Sequence, residues 1–198
     1  MKTSSLVLIA STFLFSCSHE VPAPVQLIVN GDVESGITSP AHWFAVTTTA
    51  YASDWLSAGG FANGHGLHLS ATTAATGDPG SWVQFLQVAE LTGKQLTLSA
   101  KIKTTAISGT GITMGMLADN EGTYRLTTQN ITSFPSSTAA QFTIMPAGTI
   151  TAGTADWKSY SVVLPNIQKN VDFITVYLTM SSGTTGDVYF DDVSLIAR

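Results

Sequence analysis

The run Gln95-Leu96-Thr97-Leu98-Ser99-Ala100-Lys101-Ile102-Lys103-Thr104 alternates without a break. Leu96, Leu98, Ala100 and Ile102 fall on one side; Thr97, Ser99, Lys101 and Lys103 fall on the other. Successive side chains of a strand point to opposite faces, so this run predicts a strand with one buried and one wet face. Thr92-Gly93 just before it is a turn pair, which predicts a hairpin to a strand over 82–88. Working outward, residues 173–180 alternate too, with Ile174, Val176, Leu178 and Met180 on one side. Asp119-Asn120-Glu121-Gly122 reads as a tight turn between strands over 112–117 and 124–127. Strands over 25–29, 42–48, 66–70, 141–145, 157–164 and 188–196 complete the set, with loops over 132–140 and 147–155. About ten or eleven short strands, no internal repeat and no 3.6-residue pattern of helix length predict an all-β chain. Two facing antiparallel sheets, a β-sandwich of jelly-roll type, are the expected architecture.

The N-terminal residues read as an address. Lys2 precedes an apolar stretch from Leu6 to Phe15, which suits the core of a signal peptide and is too short to span a bilayer. It ends in Leu14-Phe15-Ser16-Cys17, which resembles the bacterial lipobox. The expected division is a lipoprotein signal peptide over 1–16, a lipidated Cys17 with its tether over 17–24, and one sandwich domain over 25–198. Cys17 is the single cysteine, so no internal disulfide can form and anchoring accounts for it better than redox chemistry. Several acyl chains on one cysteine hold a protein durably to a membrane. No Asp follows Cys17, and the outer membrane, with exposure at the cell surface, is the expected location. Charged residues are only 11% of the chain and the net charge is −5, with eight Lys and Arg forming no basic stripe, which excludes nucleic acid as a partner. A hydrophobic content of 44% argues against disorder.

Five pieces of sequence, in order, carry a family resemblance. They are Asn30-Gly31-Asp32-Val33-Glu34-Ser35-Gly36 with Pro40 and Trp43; Gly64-His65-Gly66-Leu67-His68-Leu69; Leu91-Thr92-Gly93 ahead of Leu96 to Ala100; Trp157 before a β-run; and Gly186-Asp187-Val188-Tyr189-Phe190-Asp191-Asp192-Val193-Ser194-Leu195. Together they resemble carbohydrate-binding modules of the family 4/9/22 type. The resemblance implies a galactose-binding-like jelly roll that binds a polysaccharide or oligosaccharide without catalysis, beside a separate glycan-degrading enzyme or importer. It also implies a structural Ca²⁺ held by Glu34 and Asp191, with carbonyls from residues 63–65. If the first and last strands lie side by side, Glu34 comes close to Asp191, and converging carboxylates suit a hard cation. An ordinary turn and acidic strand without an ion is the alternative.

A neutral sugar needs an aromatic platform flanked by hydrogen-bonding side chains. Trp43 and Trp157 match positions that are core in the resembled modules. Trp55, in a polar connection, Trp82, after Gly77-Asp78-Pro79-Gly80, and Tyr124, after the tight turn, are the platform candidates, with Gln84, Gln87 and Arg125 as polar partners. For each ring, packing on the sheet is the alternative. A glycosidase needs two carboxylates at fixed separation, one able to hold a proton. No E-x-D-x-x-E and no G-x-S-x-G occurs, and most of the 13 acids fall in turns or at the expected ion site. His65 and His68, three apart on a strand, point to opposite faces and make a poor metal pair. The expectation is a binding protein; the alternative is an adhesion or assembly module that contacts another protein without sugar affinity.

Overall fold

The computed structural model describes residues 23–119, 142–144, 152–164, 167 and 171–198. Cys17, the signal segment, Tyr124, Arg125 and the strand expected over 124–127 lie outside these. The described residues form strands only: β1 (Val25–Gln26), β2 (Phe44–Val46), β3 (Ala52–Leu56), β4 (Gly66–Ala71), β5 (Gly80–Gln87), β6 (Leu96–Ser108), β7 (Ile112–Asp119), β8 (Phe142–Ile144), β9 (Gly153–Leu164), β10 (Phe173–Met180) and β11 (Thr185–Ala197). They make two antiparallel sheets. One runs β3-β4-β11-β6-β9, with β1 also paired to β11; the other runs β2-β5-β10-β7-β8.

The alternation of residues 95–104 does what its chemistry demands. Leu96, Leu98, Ala100 and Ile102 are buried, facing Ile174, Val176, Leu178 and Met180 of the opposite sheet across one core. Clusters of this kind remove several hundred Å² of apolar surface from water at roughly 25 cal/mol per Å², which is what holds the two layers together.

The hairpin expected between 82–88 and 95–104 does not form. β5 pairs with β2 and β10, whereas β6 pairs with β11 and β9. The intervening residues cross from one sheet to the other: Leu91 turns into the core, and Gly93 N–H donates to Ile167 O at 2.7 Å. A turn pair reports a reversal of the chain, and strand partners are chosen by core packing. Residues 52–56, read as a polar connection, are a strand at the sheet edge, and β9 begins at Gly153, inside the loop expected over 147–155.

Two β-bulges bear on function. Between Asp191↔Lys101 and Ser194↔Ser99, β11 advances three residues while β6 advances two. Before this bulge the even positions Val188 and Phe190 face the core; after it the odd positions Val193, Leu195 and Ala197 do. Asp192, at φ 47, takes the turn. The second bulge lies in β9: Ile102↔Lys158 and Thr104↔Ala155 leave Asp156 and Trp157 opposite the single residue Lys103. A bulge re-aims side chains that a regular strand would send to opposite faces.

Candidate functional site

The site is built on the outer face of the six-stranded sheet and begins with a loop. Residues 56–65 leave β3 and return into β4, and two carboxylates hold them. Glu34 Oε1 accepts the His65 N–H at 2.8 Å, and its Oε2 lies 2.8 Å from His65 Nδ1. Asp191 Oδ2 accepts the Phe61 N–H at 2.7 Å, and its Oδ1 accepts the Asp192 N–H at 2.6 Å. The loop closes on itself through Gly60 N–H to Gly64 O at 2.9 Å. Gly60 must be glycine, because a Cβ there would overlap the His65 backbone carbonyl, and a Cβ on Gly64 would displace the Glu34 carboxylate.

Glu34 is itself pinned. Val33, fully buried, sits at φ 48, a left-handed conformation that costs a β-branched residue energy. Its carbonyl accepts the Trp55 indole N–H at 2.8 Å, and the Trp55 ring stacks on His65 at 4.2 Å between centroids. Asn30 ties down the same turn, donating to Ser35 O and Ala41 O at 3.0 Å each. The hydrogen bond from His65 pulls the Glu34 pKa below the usual carboxylate range. Burial pushes the Asp191 carboxyl up, its two backbone donors offset part of this, and the Glu34 charge adds to the rise. Asp191 is only 4% exposed and has no Lys or Arg partner among the described residues. Lys101, its register neighbour on β6, sends its ammonium over the Phe61 ring instead, 3.6 Å from the centroid.

This donor set fits a hard cation. Two carboxylates share one field, one of them buried without a counter-charge, and a carboxylate oxygen that accepts one hydrogen bond keeps a second lone pair. Among the described residues no group of three or more His, Cys, Asp or Glu that could hold a metal ion occurs, so Glu34 and Asp191 are the only acidic donors at this place.

Loop 56–63 forms one wall of a groove of about 640 Å³. Phe61 and Asn63 line that wall; Tyr189 of β11, Lys103 of β6, and Asp156 and Trp157 of β9 line the rest. Tyr189 and Lys103 are direct cross-strand partners, so Tyr189, Lys103 and Trp157 stand in a row across three adjacent strands. Trp157 meets the Phe61 ring edge-on at 6.1 Å and 80°, and Phe61 is 41% exposed. Tyr189 stacks on His68 at 4.6 Å. His68 in turn is held between Asp187, 3.0 Å from its Nε2, and Asp54, 3.4 Å from its Nδ1. Burial, and secondarily the Asp187 charge, raise the Tyr189 phenol pKa, so the ring enters the groove as a neutral hydroxyl.

The platform residues expected from the sequence are placed differently. Trp82 is in the core, 5% exposed, donating its indole N–H to His68 O at 3.0 Å, which leaves no ring face for a ligand. Its strand begins at the sheet rim, but its parity sends the ring inward, opposite Leu178. Trp55 braces Glu34 and His65, as above. Gln84 is buried, bonded through both ends of its amide to Val29 N–H and Val29 O at 2.9 Å. Gln87 is exposed on the other sheet, away from the groove. Trp43 is core, 3% exposed, as its motif position implied. Trp157 is not core: it is half-buried on the outer face. A signal for it was present. Tyr160, Val162 and Leu164 are even-numbered and face inward, opposite Ala100, Leu98 and Leu96, so odd-numbered Trp157 belongs outside. Tyr189 is marked the same way, between buried Val188 and Phe190.

Two facing antiparallel sheets with no helix among the described residues define a jelly-roll β-sandwich like that of CBM4, a carbohydrate-binding module. Within that class, a CBM4 structure is 17% identical over 86% of this chain and 99% of its own, with a TM-score of 0.55. A Stig cyclase from Fischerella sp. TAU is 13% identical over 89% of this chain and 98% of its own, at 0.59. The enzymatically active domain of tailspike protein 4 of bacteriophage CBA120 is 13% identical, at 0.59, and this chain spans 21% of its length. The CBM22-1–GH10 modules of a Clostridium thermocellum xylanase 10B, complexed with xylohexaose, are 14% identical over 88% of this chain and 28% of that one, at 0.51. At these identities the likeness is one of fold, and the fold is shared by binding modules and catalysts alike. No protein-family model and no curated protein matches the chain.

Proposed function

We propose that this protein is a non-catalytic glycan-binding module whose ligand lies in the groove between loop 56–63 and Trp157. The observation that carries the reading is the bulge that sets Asp156 and Trp157 side by side, completing a row of aromatic and polar groups with Lys103 and Tyr189. A sugar presents an apolar C–H face and a rim of hydroxyls. Trp157 supplies a ring for the face; Asp156 accepts, and Lys103 and Asn63 donate, for the rim. CBM4 and the CBM22 module of the xylanase structure support this as relatives in fold. Among the groove's lining residues there is a single carboxylate, Asp156, whereas glycoside hydrolysis needs two. Calorimetry of the protein against β-glucan, xylan, mannan and galactan oligosaccharides, together with acidic oligosaccharides, tests the reading; no heat with any of them sinks it.

The Glu34–Asp191 place is proposed as a structural Ca²⁺ site, on the strength of its donor chemistry and the resemblance in sequence. Glu34 and Asp191 would hold the ion, which would relieve their mutual repulsion and fasten loop 56–65. An ion bound by the native state alone stabilises it in proportion to RT ln(1 + [L]/Kd), about 2.7 kcal/mol at a hundredfold excess over Kd. EDTA is therefore expected to lower the melting temperature by several degrees, and added Ca²⁺ to restore it; an EDTA-insensitive melt argues against the ion.

Export and anchoring through Cys17 are proposed from the sequence alone: a lipid anchor on the outer membrane, with residues 17–24 as tether to the sandwich. Expression in a lipoprotein-processing bacterium is expected to place the protein in the membrane fraction, and Cys17→Ser to move it to the soluble fraction. Identical fractionation of the two forms removes the anchor from the proposal.

A further inference from the structure

We infer that the groove selects a negatively charged glycan, one bearing carboxylate or sulfate groups, through Lys103 and Lys101. This rests on the groove being a glycan site. The chain is acidic overall, at −5, with only eight Lys and Arg. Lys103 lines the groove, and Lys101, two residues along the same strand, reaches its Phe61 wall; both face outward because Ala100 and Ile102 face the core. Neither makes an ion pair among the described residues; the ion pairs there are all made by histidines. Their partners are rings instead. The Lys101 ammonium lies 3.6 Å over Phe61, and that of Lys103 lies 5.8 Å over its cross-strand neighbour Tyr189. At the second distance a cation–π attraction is near its limit of about 6 Å, so the Lys103 charge stays available to an anion.

Most nearby acids are engaged elsewhere: Asp54 and Asp187 flank His68, and Asp191 is buried against the Phe61 amide. Asp156, whose Oδ1 accepts the Trp157 N–H at 2.8 Å, is the one carboxylate lining the groove, so an anionic group must seat on the lysine side. Lys103 stands across from Trp157 on the neighbouring strand, so a sugar stacked on Trp157 turns an edge to Lys103. Lys101 is two residues, about 6.6 Å, further along the same strand, toward Phe61. A neutral sugar would use Lys103 as an ordinary donor and gains nothing from its charge or from that of Lys101. An anionic one is attracted by both, in a groove whose walls reduce screening by water.

The test is calorimetry of the purified protein with three galactose-based oligosaccharides of equal length: an oligogalacturonate, a sulfated galactan and a neutral galactan. At low ionic strength one of the two acidic oligomers is expected to bind about tenfold more tightly than the neutral one, as a hydrogen bond to a charged group predicts. Whichever acidic oligomer binds better identifies the anion. The advantage is expected to shrink as salt is raised toward 1 M. Lys103→Gln is expected to bring the acidic-to-neutral ratio near one, with Lys101→Gln giving a smaller fall. Both substitutions are on the solvent face, so an unchanged melting temperature verifies that each variant is folded. Equal affinity for acidic and neutral oligomers, or an unchanged ratio in Lys103→Gln, overturns the inference and leaves glycan binding standing. Binding of none of the three, together with none of the neutral panel, overturns both.

Discussion

Trp82→Ala is expected to cost about 3–5 kcal/mol of unfolding free energy, the range for deleting a large buried aromatic side chain. The ring is 5% exposed and packs between the sheets, with Leu178 and Ala45 beside it in register. Its indole N–H reaches across to His68 O on the opposite sheet at 3.0 Å. Truncation therefore opens a cavity and also leaves the His68 carbonyl, buried in the layer interface, without its donor. Urea unfolding should show a lower midpoint with an unchanged slope, since the surface exposed on unfolding barely changes. Trp82→Phe keeps most of the packing and loses the hydrogen bond, so a cost of about 1–2 kcal/mol is expected. If Trp82→Ala unfolds at the wild-type midpoint, the ring is not where the sheets meet.

Trp157→Ala should behave in the opposite way. The ring is half-buried on the outer face, in edge contact with Phe61, and lies outside the core cluster. Its removal is expected to change stability by less than about 1 kcal/mol, the usual range for surface substitutions away from special features. Glycan affinity is expected to fall by at least about 30-fold, the 2 kcal/mol or more typical of a central aromatic anchor. Calorimetry on Trp157→Ala and Trp82→Phe side by side separates the two roles. Wild-type affinity in Trp157→Ala would remove the groove from the proposed function. A loss of binding in Trp82→Phe larger than in Trp157→Ala would return the ligand to the residue singled out from sequence.

The contrast between these tryptophans shows where reading of the chain succeeded and where it stopped. The face of a strand is a local property, and it was legible wherever one parity is apolar: residues 96–104, 173–180, and 188–190. Trp82 lies in a strand where both parities carry apolar residues, Trp82 and Leu86 against Val83 and Phe85, so alternation could not choose. Gln84 deepened the ambiguity: a polar residue on the inward parity reads as solvent-facing until its two bonds to Val29 are seen. The carboxylate pair was implied by the family resemblance; the structure adds that the chain ends meet, with Val25 against Ala197 and Gln26 against Ile196. The loop that the pair holds was legible only in part, since Phe61 carries no periodic signal of its own.

By itself, the sequence determined that this is an all-β protein and that the even positions of 96–102 and 174–180 belong to its core; the pairing of Glu34 with Asp191 was implied only by the family resemblance. The first two follow from period-2 burial and from turn chemistry, which act over a few residues. The tertiary structure alone decided which strands are partners, where the two bulges fall and which face carries the groove. A bulge is one residue of mismatch between two strands whose pairing is set by packing far away in the chain. The parity change at Asp191 has no cause within its own strand, and although alternation in β9 already sends Trp157 outward, only the bulge sets Asp156 beside it. The groove exists because Asp191 is pulled in to hold Phe61 while Trp157 is pushed out to face it.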